Sequence, residues 1–226
     1  TCLIENEACE EQILTPGMDD EIFSRTKVPM TKNEVRVLSI SRLELTKNAV
    51  VYDVGSGTGS VSAECARLSP DIFVFAIEQK EEAANLTKEN AVRLGLSDQI
   101  VVINKKAPEG FEELPTPTHV FIGGSSGALS DILSAIQKKL IVKENTKGKT
   151  DKASKGVRVV INAVSLETIA QITKLIQMYP VKHVQLTQIQ ASRAHKLGSY
   201  NLMQAQNPVL IASFNLLPDD KMEADE

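Results

Sequence analysis

The chain has 226 residues, 42% of them apolar and 24% charged, with a net charge of −4 and a pI near 5.5. That length allows one domain with a substantial core, and the acidic balance argues against the broad basic face of a nucleic-acid binder. No run of about 18 apolar residues exists to cross a membrane as a helix, and no basic-then-apolar signal pattern opens the chain.

Residues 1–15 carry little periodic pattern and read as an N-terminal arm or linker. Pro16-Gly17 marks a turn, and a short amphipathic piece is expected over 19–23. Thr31 and Glu34 have capping-box spacing, so a helix is predicted over 32–44. Strands and helices then alternate. The strands fall at 49–54, 72–77, 100–104, 119–122 and 157–164, and the helices at 60–68, 80–94, 129–140 and 166–178. Two more strands, 181–190 and 209–214, follow with no helix between them. Continuous apolar strands separated by helices mean a parallel sheet covered on both faces, with one of the last two strands antiparallel. The predicted fold is therefore α/β and Rossmann-like: a seven-stranded, mostly parallel sheet with helices on both faces, spanning 16–217. The stretch 143–156, rich in Lys, Thr, Ser and Gly, reads as a flexible basic loop, and 218–226 as an acidic tail.

Cys2, Cys9 and Cys65 make no disulfide framework, which fits a reducing cytoplasm. His119, His183 and His195 lie far apart in sequence, and no cluster has metal-ligand spacing, so no metal site is expected.

The chemistry concentrates on one loop. Asp53, Gly55, Ser56, Gly57, Thr58 and Gly59 follow the first core strand and open a helix. Open α/β sheets bind ligands at the carboxyl ends of their strands, at the switch point. Glycines there let the backbone approach a ligand, and the helix N-terminus offers N–H groups. A dinucleotide site needs G-x-G-x-x-G; here the spacing is G-x-G-x-G, with an acid two residues before the first glycine. That pattern points to S-adenosylmethionine. Glu78 ends the second strand about 20 residues later, where an acid grips ribose hydroxyls. Ala107, after the third strand, is a candidate at the adenine edge, though a plain turn set by Pro108 accounts for it equally well. Gly123, Gly124 and Ser125 follow the fourth strand on the same rim and leave room for a bulky flat substrate. The Asn/Asp-Pro-Pro-Tyr/Phe motif of nucleic-acid amino methyltransferases is absent there.

The segments Gly17-Met-Asp-Asp-Glu21-Ile-Phe23, Pro29-Met-Thr31-Lys32-Asn-Glu34-Val35-Arg36, the glycine loop, Ala107-Pro108-Glu109, Gly123-Gly124-Ser125 and Asn207-Pro208-Val209 resemble the precorrin methyltransferases of cobalamin biosynthesis. Within that family they look like the C15-methylating, decarboxylating enzyme, which occurs alone or as the C-terminal half of a bifunctional C5,C15-methyltransferase. The resemblance covers about residues 16–215, and residues 1–15 are similar to the end of an upstream C5-methylating domain. It implies a class I S-adenosylmethionine-dependent methyltransferase acting on a precorrin or cobalt-precorrin, a homotetramer, and cofactor contacts from Thr31, Gly55 to Gly59, Glu78 and Ala107. Lys106 stands where relatives often have an acid.

A tetrapyrrole carries many carboxylates. Lys32 and Arg36, at i and i+4 on one helix face, and Arg193 are therefore expected at the substrate, the arginines by bidentate forks. His195 is a conceivable acid or base because its pKa lies near neutrality, and an equally good bystander; no catalytic residue is assigned. The alternatives are a class I methyltransferase of tRNA or protein, and a cofactor-binding domain without catalysis.

Overall fold

The structure is a computed structural model that describes residues 15–147 and 156–219, the side chains of 141–147 apart. The arm expected over 1–15 and the tail over 218–226 lie almost wholly outside the described residues. Five helices, α1 (Asn33–Leu43), α2 (Ser60–Ala66), α3 (Glu81–Arg93), α4 (Leu129–Lys147) and α5 (Leu166–Met178), accompany nine strands. The strands are β1 (Val50–Val54), β2 (Phe73–Ile77), β3 (Ile100–Ile103), β4 (His119–Ile122), β5 (Val157–Ala163), β6 (Val181–Ile189), β7 (Ser192–Leu197), β8 (Tyr200–Ala205) and β9 (Val209–Leu216).

Seven strands form one sheet in the order β3-β2-β1-β4-β5-β9-β6, the expected number. β1 to β5 run parallel, and β9 is antiparallel to both β5 and β6. The chain moves outward from β1 to β3 and then returns to β4 on the other side of β1. The loops leaving β1 and β4 therefore diverge, and a crevice opens between them.

Strand residues alternate between two cores because side chains alternate across a pleated strand. Val51, Val74, Phe121 and Val160 pack with Val35, Ile40, Val61 and Ala91 from α1, α2 and α3. Tyr52, Val54, Val120, Ile122, Val159 and Ile161 pack with Ile132, Ile136, Ile172 and Leu175 from α4 and α5. Both faces are covered, so the strands have no polar side to show and read as unbroken apolar runs.

Three expectations are corrected. The capping box does not form: Lys32 occupies the N-cap of α1 and no side chain caps it, because Glu34 is drawn to Arg193. The basic stretch predicted as a loop from 143 is helical up to Lys147; no Gly or Pro interrupts α4 before Gly148, and Lys, Glu and Val extend a helix at small cost. Residues 148–155 lie outside the described residues. Between β6 and β9 the chain makes a hairpin, β7 paired antiparallel with β8, that the sequence pattern did not announce. Every residue of its two strands except Arg193 is exposed, so no buried face imposes apolar alternation on it.

Candidate active site

The glycine loop turns from β1 into α2 at the crevice. Its amides are largely satisfied within the protein. Gly55 N and Ser56 N donate to the Ile77 carbonyl at 2.8 and 3.3 Å, Gly59 N to the Ser56 carbonyl at 2.8 Å, and Gly57 N to Glu78 Oε2 at 3.1 Å. The loop's contribution is shape more than free donors. Gly55 and Gly57 have φ of +73° and +58°; a Cβ on Gly55 would lie 2.6 Å from the Gly124 carbonyl oxygen, and one on Gly57 2.8 Å from that of Pro29. The loop is thus held between the β4 turn and the segment that precedes α1, and only glycine fits that spacing.

Glu78 is nearly buried at the end of β2. Besides the Gly57 bond, its Oε1 accepts from Lys80 N at 2.9 Å, and the residue lines a cleft of about 420 Å³. Each carboxylate oxygen has a second lone pair, so Glu78 can hold two hydroxyls while it holds the loop. Ile77, Ala83 and Ala107 supply apolar wall, and Gly55, Gly57, Gly123, Gly124 and Ser125 line the side toward β4. A second recess of about 260 Å³ adjoins it, sharing Gly123 to Ser126 and walled by Ile122, Ile161, Asn162, Ala163, Val164 and Thr168. A nucleoside with a ribose diol fits the first recess: a carboxylate for the diol, aliphatic wall for the base, and glycines where a close approach is needed.

The other expected cofactor residues stand behind this surface. Asp53 is fully buried and accepts from Ser62 Oγ at 2.5 Å, and its Oδ1 has no hydrogen-bond partner among the described residues. Burial pushes its carboxyl up to about 6, against the Ser62 hydrogen bond, which lowers it. Ser56 and Thr58 are buried, Ser56 Oγ lying 3.3 Å from Thr87 Oγ1 and Thr58 Oγ1 having no partner among the described residues. Gly59 packs on Thr87 and is the N-cap of α2. Thr31 is outside the cleft lining; its carbonyl accepts from Arg36 Nη1 at 2.7 Å.

The expected substrate cations divide. Arg36 is 0% exposed, with Nε 3.2 Å from Glu64, Nη1 3.1 Å from Asp20 and its guanidinium 5.0 Å from the Phe23 ring centre. It is a core ion pair rather than a surface contact, so it shares no open helix face with Lys32. Arg193 donates to both oxygens of Glu34 and to Asp20, which leaves its fork already matched to a carboxylate. Lys32 is half-exposed, 3.9 Å from Asp20. His195 is exposed on the hairpin. The cleft takes its cations from elsewhere: Lys27, Lys80, Lys105 and Lys106 line it, as do Val28 and Pro29. Lys27 and Val28 carried no motif, and Pro29 only opened one. Gly17 N and Met18 N donate to Glu64 Oε1 at 2.9 and 2.7 Å, and Arg36 joins Asp20 to Glu64, so a buried network folds the segment over the glycine loop.

Comparison with known proteins follows the same lines. A precorrin methyltransferase domain model matches residues 21–215. A probable cobalt-precorrin-6B C(15)-methyltransferase (decarboxylating) of Pyrobaculum calidifontis is 37% identical over 87% of this chain and 94% of its own length. The crystal structure of precorrin-6Y C5,15-methyltransferase from Geobacter metallireducens superposes with a TM-score of 0.76 at 30% identity, covering 88% of this chain and 96% of that one. The C-terminal domain of precorrin-6Y C5,15-methyltransferase from Rhodobacter capsulatus does so with a TM-score of 0.73 at 28% identity, covering 90% of this chain and all of that one. These relatives bear on the tetrapyrrole reading and not on the tRNA or protein alternative. With its glycine-lined crevice at the β1/β4 switch point and a family match over most of its length, this chain belongs to the precorrin methyltransferase domain family.

Proposed function

We propose that the protein methylates C15 of a cobalt-precorrin from S-adenosylmethionine, with loss of the ring C acetate carboxyl as carbon dioxide, in cobalamin biosynthesis. The observation that carries this reading is Glu78, a nearly buried carboxylate that braces the glycine loop and still faces the cleft. When bound, S-adenosylmethionine supplies a methyl group already activated on a sulfonium. Glu78 would accept from the ribose hydroxyls, Ile77, Ala83 and Ala107 would wall the base, and Gly55, Gly57, Gly123 and Gly124 would leave room for the rest. Asp53, Ser56, Thr58, Gly59 and Thr31 support the loop and the overlying segment from behind.

Positioning is the protein's main work. Aligning a nucleophilic carbon with the bond to be broken can contribute roughly 7–11 kcal/mol. The bound cofactor would supply the methyl group to C15, with its neutral thioether as the leaving group. In the decarboxylation the acetate carbon–carbon bond breaks, and its electron pair passes into the conjugated macrocycle. The recess beside Gly123, Gly124 and Ser125 is the place for the macrocycle edge.

The same reading makes the protein a cytoplasmic homotetramer, standing alone or joined to a C5-methylating domain. The two-stranded hairpin supports assembly: it exposes Leu197, Tyr200, Leu202 and Met203, and an isolated hairpin is marginal in water. Incubation with cobalt-precorrin-6B and S-adenosylmethionine, followed by mass spectrometry, tests the activity; a methyl gain with carbon dioxide loss is expected, and an unchanged tetrapyrrole refutes it. Sedimentation tests the assembly.

A further inference from the structure

Building on the tetrapyrrole reading, we propose that Lys27, Lys80 and Lys106 form a cationic collar at the mouth of the cofactor cleft that binds the carboxylates of the substrate lying across both recesses. The cations expected for this role are engaged elsewhere. Arg36 is buried between Asp20 and Glu64, and Arg193 is matched to Glu34. Four lysines, Lys27, Lys80, Lys105 and Lys106, line the cleft against two glutamates, Glu78 and Glu82. A chain of net charge −4 therefore turns a local charge of +2 to this opening. The cofactor accounts for little of that charge, because S-adenosylmethionine has a single carboxylate against an ammonium and a sulfonium and is cationic overall.

Lys105 has a carboxylate neighbour, Glu113 Oε1 at 3.6 Å. Lys27, Lys80 and Lys106 are exposed and make no ion pair among the described residues. They come from three separate elements: the segment over the glycine loop, the end of β2 and the end of β3. The two glutamates offset only half of the four positive charges. Glu78 accepts two backbone amides, and Glu82 accepts from Thr26 Oγ1 at 2.6 Å.

The recess beside β4 and β5 has the opposite character, with no charged side chain among the described residues that line it. It suits an uncharged ring edge. β2 is two strand spacings from β4 in the sheet, about 10 Å, so a macrocycle seated in that recess reaches back over the shared wall of Gly123 to Ser126 and brings its peripheral carboxylates over Lys80 and Lys27. Lys106, one strand further out, meets the outermost ones. Flexible lysines suit this task, since they follow carboxylates on mobile side chains as point charges.

The test compares the wild type with K27Q, K80Q, K106Q and the triple variant, all at exposed positions. Cobalt-precorrin-6B is titrated and followed by its visible absorbance, S-adenosylhomocysteine is titrated by calorimetry, and turnover is measured at two salt concentrations. The triple variant is expected to bind the tetrapyrrole on the order of tenfold more weakly at low salt, to lose most of the wild type's salt dependence, and to keep kcat and S-adenosylhomocysteine affinity within about twofold, on the premise that rim charges act on encounter. Unchanged tetrapyrrole affinity and salt slope in the triple variant, with an active wild type, overturn the collar alone. A parallel loss of S-adenosylhomocysteine affinity overturns it too, by assigning the lysines to the cofactor. A wild type that neither binds nor methylates the tetrapyrrole overturns the functional reading together with the collar.

Discussion

Arg193 grips Glu34 across 159 positions of the chain, its Nε donating to one carboxylate oxygen at 2.7 Å and its Nη2 to the other at 2.6 Å. Its Nη1 reaches Asp20 at 2.9 Å, which also receives Arg36. This single residue ties the outlying hairpin to α1 and to the segment over the glycine loop. Both members of the pair are more than a third exposed, so its worth to global stability is about 1 kcal/mol at most. Glu34→Gln is expected to leave Tm almost unchanged while hydrogen exchange accelerates over 192–205. The Arg193 hydrogen bond holds the Glu34 carboxyl below its ordinary 4.5. The tie is therefore fully present above that value and is lost as pH falls through the lower folded one. Hairpin protection in the wild type should fall in that acid range and stay flat in the variant.

Arg36→Met removes the one cation that Glu64 and Asp20 share in the interior. Breaking a buried pair from one side costs about 3–5 kcal/mol because the remaining charge has no water to turn to. Arg67 Nη1, 3.2 Å from Glu64, reduces that loss only in part. Urea unfolding should show a large fall in midpoint, in contrast to the mild effect expected of a surface substrate contact.

Gly57→Ala and Gly124→Ala form a contrasting pair. An added Cβ at Gly57 meets the Pro29 carbonyl at 2.8 Å with φ at +58°, whereas one at Gly124 meets nothing within 4 Å. The first forces a left-handed alanine, at about 1–2 kcal/mol, and pushes residues 27–29 off the loop. A lower Tm with weaker S-adenosylhomocysteine binding is expected for Gly57→Ala, and an unchanged Tm for Gly124→Ala; calorimetry and thermal melts check both.

Glu78→Gln keeps an acceptor for Gly57 N but removes the charge that strengthens hydrogen bonds from ribose hydroxyls. Charge-assisted bonds contribute about 1.5–3 kcal/mol, so S-adenosylhomocysteine should bind on the order of tenfold more weakly to Glu78→Gln and about a hundredfold more weakly to Glu78→Ala. Isothermal titration separates the two.

Asp53 makes the fold less stable at neutral pH than in mild acid. Burial raises its carboxyl from 3.8 to about 6, so the folded state binds the proton more tightly than the unfolded chain. Stability therefore begins to fall as pH rises above about 3.8, and the full cost of burying the ionised form, on the order of 3 kcal/mol, is reached above about 6. Asp53→Asn removes that titration. Unfolding free energies from pH 4 to 7 should fall for the wild type relative to the variant, and parallel curves would contradict the assignment.

The parts of this fold legible in the sequence are those governed by neighbours along the chain. The helix predicted over 166–178 matches α5 at both ends, because Ser165 caps it through the Thr168 amide at 3.2 Å and Pro180 stops it soon after. The glycine loop and Glu78 were legible because a tight strand-to-helix turn and an acid one strand later leave a compact signature. The hairpin was not, since exposure on both faces removes the alternation by which a strand is recognised. Nor were the roles of Arg36 and Arg193. Their partners Glu64, Asp20 and Glu34 lie 16 to 173 positions away, and an arginine looks the same in sequence whether it meets a substrate carboxylate or a buried glutamate.

The sequence by itself determined the alternating α/β order, the mostly parallel sheet, the glycine-rich strand-to-helix turn and the family, because local backbone preference and apolar periodicity are written residue by residue. Only the tertiary structure decided which charges are buried, which are paired and which stand free at the cleft mouth. Desolvation and pairing depend on what distant segments bring within a few ångströms, and that distance exists only once the chain has folded.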